Sequence, residues 1–350
     1  MTSIIAVQPV LPEHRYQQDE ITEAFLDVVG DWPAAERVRR LHVNSKVQTR
    51  HLALPIEDYA GLRDFGAAND AFIEQATLLG AQAVTGALAQ AGLQPSDVDV
   101  IFSTTVTGLA VPSIEARIAE HIGLRPDVKR VPMFGLGCVA GAAGIARLHE
   151  YLRGAPTEVG VLLSVELCSL TMRRNDRTNA NFVASSLFGD AATAVVAVGS
   201  DRRPPSGVEV IDSRSHLYPD SLRAMGWDVS ADGLGIVLDP AVPSIVRRYL
   251  GEDVRGFLGG HGLDVADITH WVCHPGGPKV IVAIEETLEL PPDALELTWR
   301  SLAAVGNLSS SSVLHVLRDT IDKYPPSGAA GLLMAMGPGF CAELVLLRWH

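Results

Sequence analysis

The sequence predicts an α/β fold of stacked layers, built from two duplicated halves. Three observations carry that reading. Strand-like and helix-like runs alternate along the chain. Several strand-like runs are apolar throughout, as expected for a sheet covered on both faces. The two halves also echo each other, 170 positions apart.

The elements follow in chain order. A helical pattern covers 71–91, and 97–103 (DVDVIFS) is β-branched and bounded by turn residues. A second helix covers 140–153. Val159–Leu167 (VGVLLSVEL) reads as a strand buried on both faces. A strand follows at 192–198, then a helix at 244–257 and a strand at 268–273. Helices at 279–288 and 311–323 precede strands at 331–336 and 342–347.

The echo pairs AGLQPSDV at 91–98 with GHGLDVADI at 260–268. Each leads into a strand and then a glycine-containing turn. The same offset places Gly137, in GLGCVAGAAG, opposite Asn307, in VGNLSSSSVL. Chance similarity of two α/β units is the competing explanation. Duplication predicts equivalent turns meeting at one shared site. The least globular stretch, 200–206 (SDRRPPS), lies near the middle. The halves are therefore taken as 1–205, carrying Cys138, and 206–350, carrying His274 and Asn307.

Composition narrows the function. Apolar residues make up 47% and charged residues 20% of 350, which is globular and not disordered. With 28 basic and 41 acidic residues, the net charge of −13 disfavours general binding to nucleic acid or anionic membrane. Four cysteines without a CxxC pair argue against a disulfide framework or a structural zinc. No apolar run approaches a bilayer span, and the first residues lack the pattern of a secretory signal. The expectation is a cytoplasmic protein.

Three residues could carry chemistry. Cys138 sits among small residues in a turn that opens a helix, where the dipole lowers a thiol's pKa. A buried structural cysteine is the alternative. His274 lies at a strand end before Pro-Gly-Gly-Pro, a setting none of the other ten histidines shares. Asn307 precedes a helix and also fits a plain N-cap. Together, a thiol could carry an acyl group, while an imidazole and an amide donate to an oxyanion. Two such donors suit an enolate formed by loss of CO2 from a malonyl thioester. No metal or redox cofactor is called for.

At these residues the chain resembles the type III polyketide synthases, the chalcone-synthase-like branch of the thiolase fold. GLGCVAGAAG, SSLFGDAATA, CHPGGPK, VGNLSSSSVL and MGPGF occur in the family's order and span nearly the whole chain. The resemblance implies a layered αβαβα fold and a homodimer. It implies that Cys138 is acylated and that His274 and Asn307 drive malonyl decarboxylation. Phe188 becomes a gatekeeper whose apolar face disfavours the carboxylate; without the resemblance it reads as core. Arg37 and Arg40, in RVRR, fall on family coenzyme A positions, although they also fit a solvated helix face. A third basic position appears as Asn44. Val106, Cys168, Thr171, Ile236 and Ser309 fall on cavity positions, and Gly276, Gly337 and Pro338 on the turns around them. Val111, before Pro112, matches a position that reaches into the partner's cavity.

Ile236 stands where plant members carry a second gatekeeper aromatic. Its loss suits an alkyl chain, so the expectation is a fatty acyl starter and an alkylpyrone or alkylresorcinol product. The donor is then a coenzyme A thioester or an acyl carrier protein, and the extender malonyl-CoA or methylmalonyl-CoA. The alternatives are a tetrahydroxynaphthalene-type synthase priming with malonyl-CoA, a ketoacyl carrier-protein synthase III and a non-catalytic partner subunit. A papain-like hydrolase shares the order Cys, His, Asn but would need a sequence context absent here.

Overall fold

The structure, a computed structural model, describes residues 1–29, 35–204 and 206–350. Pro205, the last residue of the expected first half, lies outside the described residues. The chain opens with β1 (Thr2–Val10), β2 (His14–Gln17), α1 (Gln18–Val29), α2 (Ala35–Asn44) and β3 (Thr49–Leu52). Then come α3 (Phe65–Ala91), β4 (Val100–Thr105), α4 (Ile114–Ile122), β5 (Lys129–Phe134) and α5 (Ala140–Gly154). The middle holds β6 (Val159–Leu167), α6 (Asn179–Leu187), β7 (Asp190–Val198), β8 (Val208–Leu217), β9 (Met225–Ser230) and β10 (Gly233–Leu238). The remainder is α7 (Val242–Gly259), β11 (His270–Cys273), α8 (Pro278–Leu288), α9 (Glu296–Val305), α10 (Ser310–Ile321), β12 (Ala330–Gly337) and β13 (Cys341–Trp349).

Nine strands form one sheet in the order β11-β12-β13-β8-β1-β7-β6-β4-β5. The join between its halves is short: β1 meets β8 only from Thr2 opposite Val210 to Ile4 opposite Val208. Three apolar cores stack around it. One packs α3 on the outer face of β6 and β7. Another packs α7 and α8 on β12 and β13. The third lies between and joins residues of α5 and α10 to inward residues of both sheet halves. The result is the expected αβαβα stack, with α5 and α10 as its middle layer.

Those two helices touch because glycine lets them. A Cβ on Gly141 of α5 would lie 2.2 Å from the Ser310 carbonyl of α10. The internal echo is visible in the backbone as well. Gly92 and Gly262 both adopt left-handed φ, at 68° and 70°. Each is followed by a 3-10 turn with a reciprocal capping box, at Pro95–Asp97 and Val265–Asp267. These turns delay the strands that the sequence starts at 97 and 268, so β4 and β11 begin at Val100 and His270.

Candidate active site

Strand ends and the two middle-layer helices converge on one cavity of 440 Å³. Cys138, His274, Asn307 and Phe188 all line it. Cys138 is held in a 3-10 turn, Gly137–Val139, that runs directly into α5. Gly137 is required twice over. Its φ is +56°, and a Cβ there would lie 2.7 Å from the Pro338 ring. Gly337 lets the other wall close: its Cβ would meet the Leu136 carbonyl and the Val139 nitrogen at 2.7 Å.

The Asn307 turn faces that of Cys138, as the repeat predicts. Asn307 Oδ1 accepts from the Ser309 nitrogen at 2.8 Å, which leaves Nδ2 to approach the Gly276 carbonyl at 3.4 Å. The side chain therefore does not cap α10, whose N-cap residue is Ser309. Ser309 itself sits at φ 51°, a region that favours glycine. Its hydroxyl links the halves: the Cys138 thiol points to it at 3.7 Å, and it donates to Glu166 at 3.2 Å. A Cβ on Gly276 would sit 3.7 Å from His274 Nε2, so the imidazole and the Asn307 amide flank one glycine. His274 Nδ1 is buried without a hydrogen-bond partner among the described residues.

Burial governs the titration here. It pushes the Cys138 thiol up to about 12, with the nearby Glu166 adding to the rise and the Ser309 hydrogen bond opposing it. It pulls His274 down to about 3. A thiol lowered by the helix end, the expectation from sequence, is therefore not what the buried turn produces, because desolvation outweighs the dipole. Each charge alone is costly. Both groups line the same cavity, and a proton moved from the thiol to the imidazole would create the two charges as a pair of opposite sign. Glu166 lies beneath, fully buried, accepting from Ser309, Ser310, Thr107 and the Val106 nitrogen. Burial raises its pKa.

Residues 1–202 match the family model described as chalcone and stilbene synthases, N-terminal domain, and residues 209–349 match the C-terminal domain. The chain belongs to the chalcone and stilbene synthase family, the type III polyketide synthases. Among similar proteins, this synthase is 54% identical over 353 residues to a 1,3,6,8-tetrahydroxynaphthalene synthase of Streptomyces peucetius subsp. caesius, covering 99% of this chain and 93% of that one. It is 33% identical over 362 residues to a putative chalcone synthase of Bacillus subtilis, covering 100% and 99%. The solved 1,3,6,8-tetrahydroxynaphthalene synthase of Streptomyces coelicolor superposes with a TM-score of 0.94 at 30% identity, covering 99% of each chain.

The other expected positions of this type III synthase divide. Val106, Cys168, Ile236, Ser309, Gly276 and Pro338 line the main cavity. Phe188 is half-buried there, not part of the closed core. Thr171 lines two adjoining chambers instead, of 370 and 80 Å³. Val111 is 96% exposed. Arg37 lines the cavity mouth, while Arg40, also on α2, is exposed and lies away from the lining.

Sequence reasoning missed three residues. Ile236 pairs across the β9–β10 hairpin with Trp227, and both line the cavity. The wall thus keeps an aromatic ring, contrary to the expected loss of the second gate. Lys279, from the other half, lines the same mouth as Asn44 and returns the basic charge that Asn44 lacks. Glu166 was the third: a lone acid in a strand otherwise without charge was its signal.

Proposed function

We propose that this synthase primes and extends with malonyl-CoA and forms a tetrahydroxynaphthalene-type product. The identity of 54% to a 1,3,6,8-tetrahydroxynaphthalene synthase over nearly the full chain carries this reading. Trp227 supports it. The fatty acyl starter rested on an open wall beside Ile236, and an indole stands on that wall.

In this reading Cys138 attacks the thioester carbonyl as its proton passes to His274. Coenzyme A leaves as the thiol, taking a proton, and the acyl group stays on Sγ. A second malonyl-CoA then loses CO2. The electrons of the broken bond form an enolate, whose oxygen accepts hydrogen bonds from His274 and Asn307. The enolate carbon attacks the acyl carbonyl and Cys138 is expelled as thiolate. Phe188 gives the carboxylate an apolar neighbour, which favours its departure as CO2. Arg37 and Lys279 are the cations available to coenzyme A phosphates. Every step is an acyl transfer, a proton transfer or a redox-neutral decarboxylation, so the chemistry calls for no metal or redox cofactor.

The same reading includes a homodimer. Val111 is almost fully exposed, and β5 is an outer strand of the sheet with Phe134 55% exposed on it. These two exposed apolar side chains are available for contact with a second copy. A monomer by light scattering at micromolar concentration would remove that part of the proposal. Among the described residues, no helix is long and apolar enough to cross a membrane.

The deciding experiment is incubation of pure protein with malonyl-CoA alone and with a panel of fatty acyl-CoAs. Tetrahydroxynaphthalene from malonyl-CoA alone is expected. Alkylpyrones from the panel, with no aromatic product from malonyl-CoA, would overturn the proposal.

A further inference from the structure

A buried arginine lies behind the site without contributing to the steps above. Arg50, on β3, is 3% exposed. Its Nη1 donates to the Phe188 carbonyl at 2.8 Å, and its Nε donates to Gln18 Oε1 at 3.1 Å. Gln18 Nε2 in turn donates to the Ser186 carbonyl at 2.8 Å. The carbonyl between these two, that of Leu187, accepts from the Asn307 nitrogen at 2.7 Å. The Gly189 nitrogen returns a bond to the Asn307 carbonyl at 2.9 Å. Three successive carbonyls of the gate segment are thus each held by a different partner, and the Phe188 and Asn307 backbones are bridged directly.

The glycines beside this bridge make room for the arginine. A Cβ on Gly306, at φ +76°, would lie 3.2 Å from the Arg50 stem and 2.5 Å from the Leu187 carbonyl. On Gly189 it would lie 2.5 Å from the Val305 carbonyl and 3.6 Å from the same stem.

We propose that Arg50 is a positioning residue that fixes the Phe188 gate and the Asn307 donor relative to each other across the joint between the two halves. The proposal rests on the reading above, in which Phe188 and Asn307 serve malonyl decarboxylation. Its physical basis is geometric. The ring and the amide must hold the malonyl group from two sides, and an error of about 1 Å in such a pair can cost about 10²-fold in rate. Burial lowers Arg50 to about 10, so it stays a cation at neutral pH. Its Nη2 has no partner among the described residues, so the group is incompletely satisfied. Methionine in its place is therefore expected to fold. Asp190, the nearby acid, keeps hydrogen bonds from the Ala53 and Ser169 nitrogens and can take up a proton.

The test compares Arg50→Met, Phe188→Ala and the double variant in two partial reactions. One is loading of a labelled acyl group on Cys138, followed by intact-protein mass. The other is CO2 release from malonyl-CoA. Arg50→Met should load within about two-fold of the parent and decarboxylate about 10-fold slower or worse. In the Phe188→Ala background it should cost no more than about two-fold further, because one of the two groups whose relative placement it fixes is gone. Equal loss of both reactions, additive losses, or parental decarboxylation by folded Arg50→Met would each overturn the proposal. If Arg50→Met does not fold, Arg50→Lys decides, since one ammonium can still reach the Phe188 carbonyl. It should show a smaller loss with the same split, and an equal loss or none counts against the proposal. If Phe188→Ala itself decarboxylates normally, the underlying reading of Phe188 fails instead.

Discussion

Replacing His274 with glutamine removes the base that the proposed mechanism assigns to the Cys138 proton; both residues line the same cavity. The variant is expected to fold, because Nδ1 has no hydrogen-bond partner to lose. Burial already holds that thiol at about 12, where the ordinary value is 9.0, and the substitution leaves this burial in place. At pH 7 an ordinary thiol is ionised to about one part in 10², and this one to about one part in 10⁵. The difference is roughly 4 kcal/mol, with desolvation its largest cause, and in the proposed mechanism the imidazole offsets it by becoming the counterion as it takes the proton. Iodoacetamide reports thiolate directly, read as intact-protein mass against time. Alkylation of His274→Gln at pH 7 should run at least about 10-fold slower than the parent. Its rate should climb about tenfold per pH unit through pH 9, because that range lies far below the thiol's pKa. A folded variant alkylated at the parental rate, or with a plateau near neutrality, would show that the helix end alone ionises Cys138.

Three further outcomes follow from the site. Asn307→Ala should still load acyl groups but lose about 10²–10³-fold in malonyl decarboxylation, the range for one oxyanion donor; chain extension at the parental rate would leave the amide only its bonds to Ser309 and Gly276. Trp227→Ala should widen the wall beside Ile236 and admit longer acyl-CoA starters, with products read by mass; an unchanged starter range would mean the indole does not limit the cavity. Lys279→Ala should raise KM for malonyl-CoA several-fold at low salt and less at high salt while kcat holds, since an exposed cation acts through screened attraction. A KM that does not move would remove Lys279 from phosphate recognition.

Much of this architecture was legible because its strands are covered on both faces. Every residue of Val159–Leu167 is buried, and its nearly unbroken apolar run located that strand without error. Cys138, His274 and Asn307 were legible because glycine and proline mark the turns that hold them. Trp227 was not, because its place depends on the register of a hairpin, and a one-residue slip would turn it to the other face. The titration of Cys138 was misjudged for a related reason. A sequence shows that a thiol opens a helix, but not that the opposite half of the chain buries it. β1 and β8 escaped notice although they join the sheet. β8 becomes increasingly exposed toward Leu217 and carries polar residues there, so no apolar run announced it.

The central place of β1 has a consequence for how the chain is made. Ser3 pairs with Val198 on one side and Glu209 on the other. At roughly 5–20 residues per second, the ribosome needs on the order of 10–40 s to deliver those partners after β1 emerges. During that interval the segment Thr2–Val10 has both edges open, and its neighbours in the finished sheet do not yet exist. Closure of the middle of the sheet is thus a late event of high contact order. The cell must keep an apolar strand from pairing elsewhere until the second half of the chain arrives.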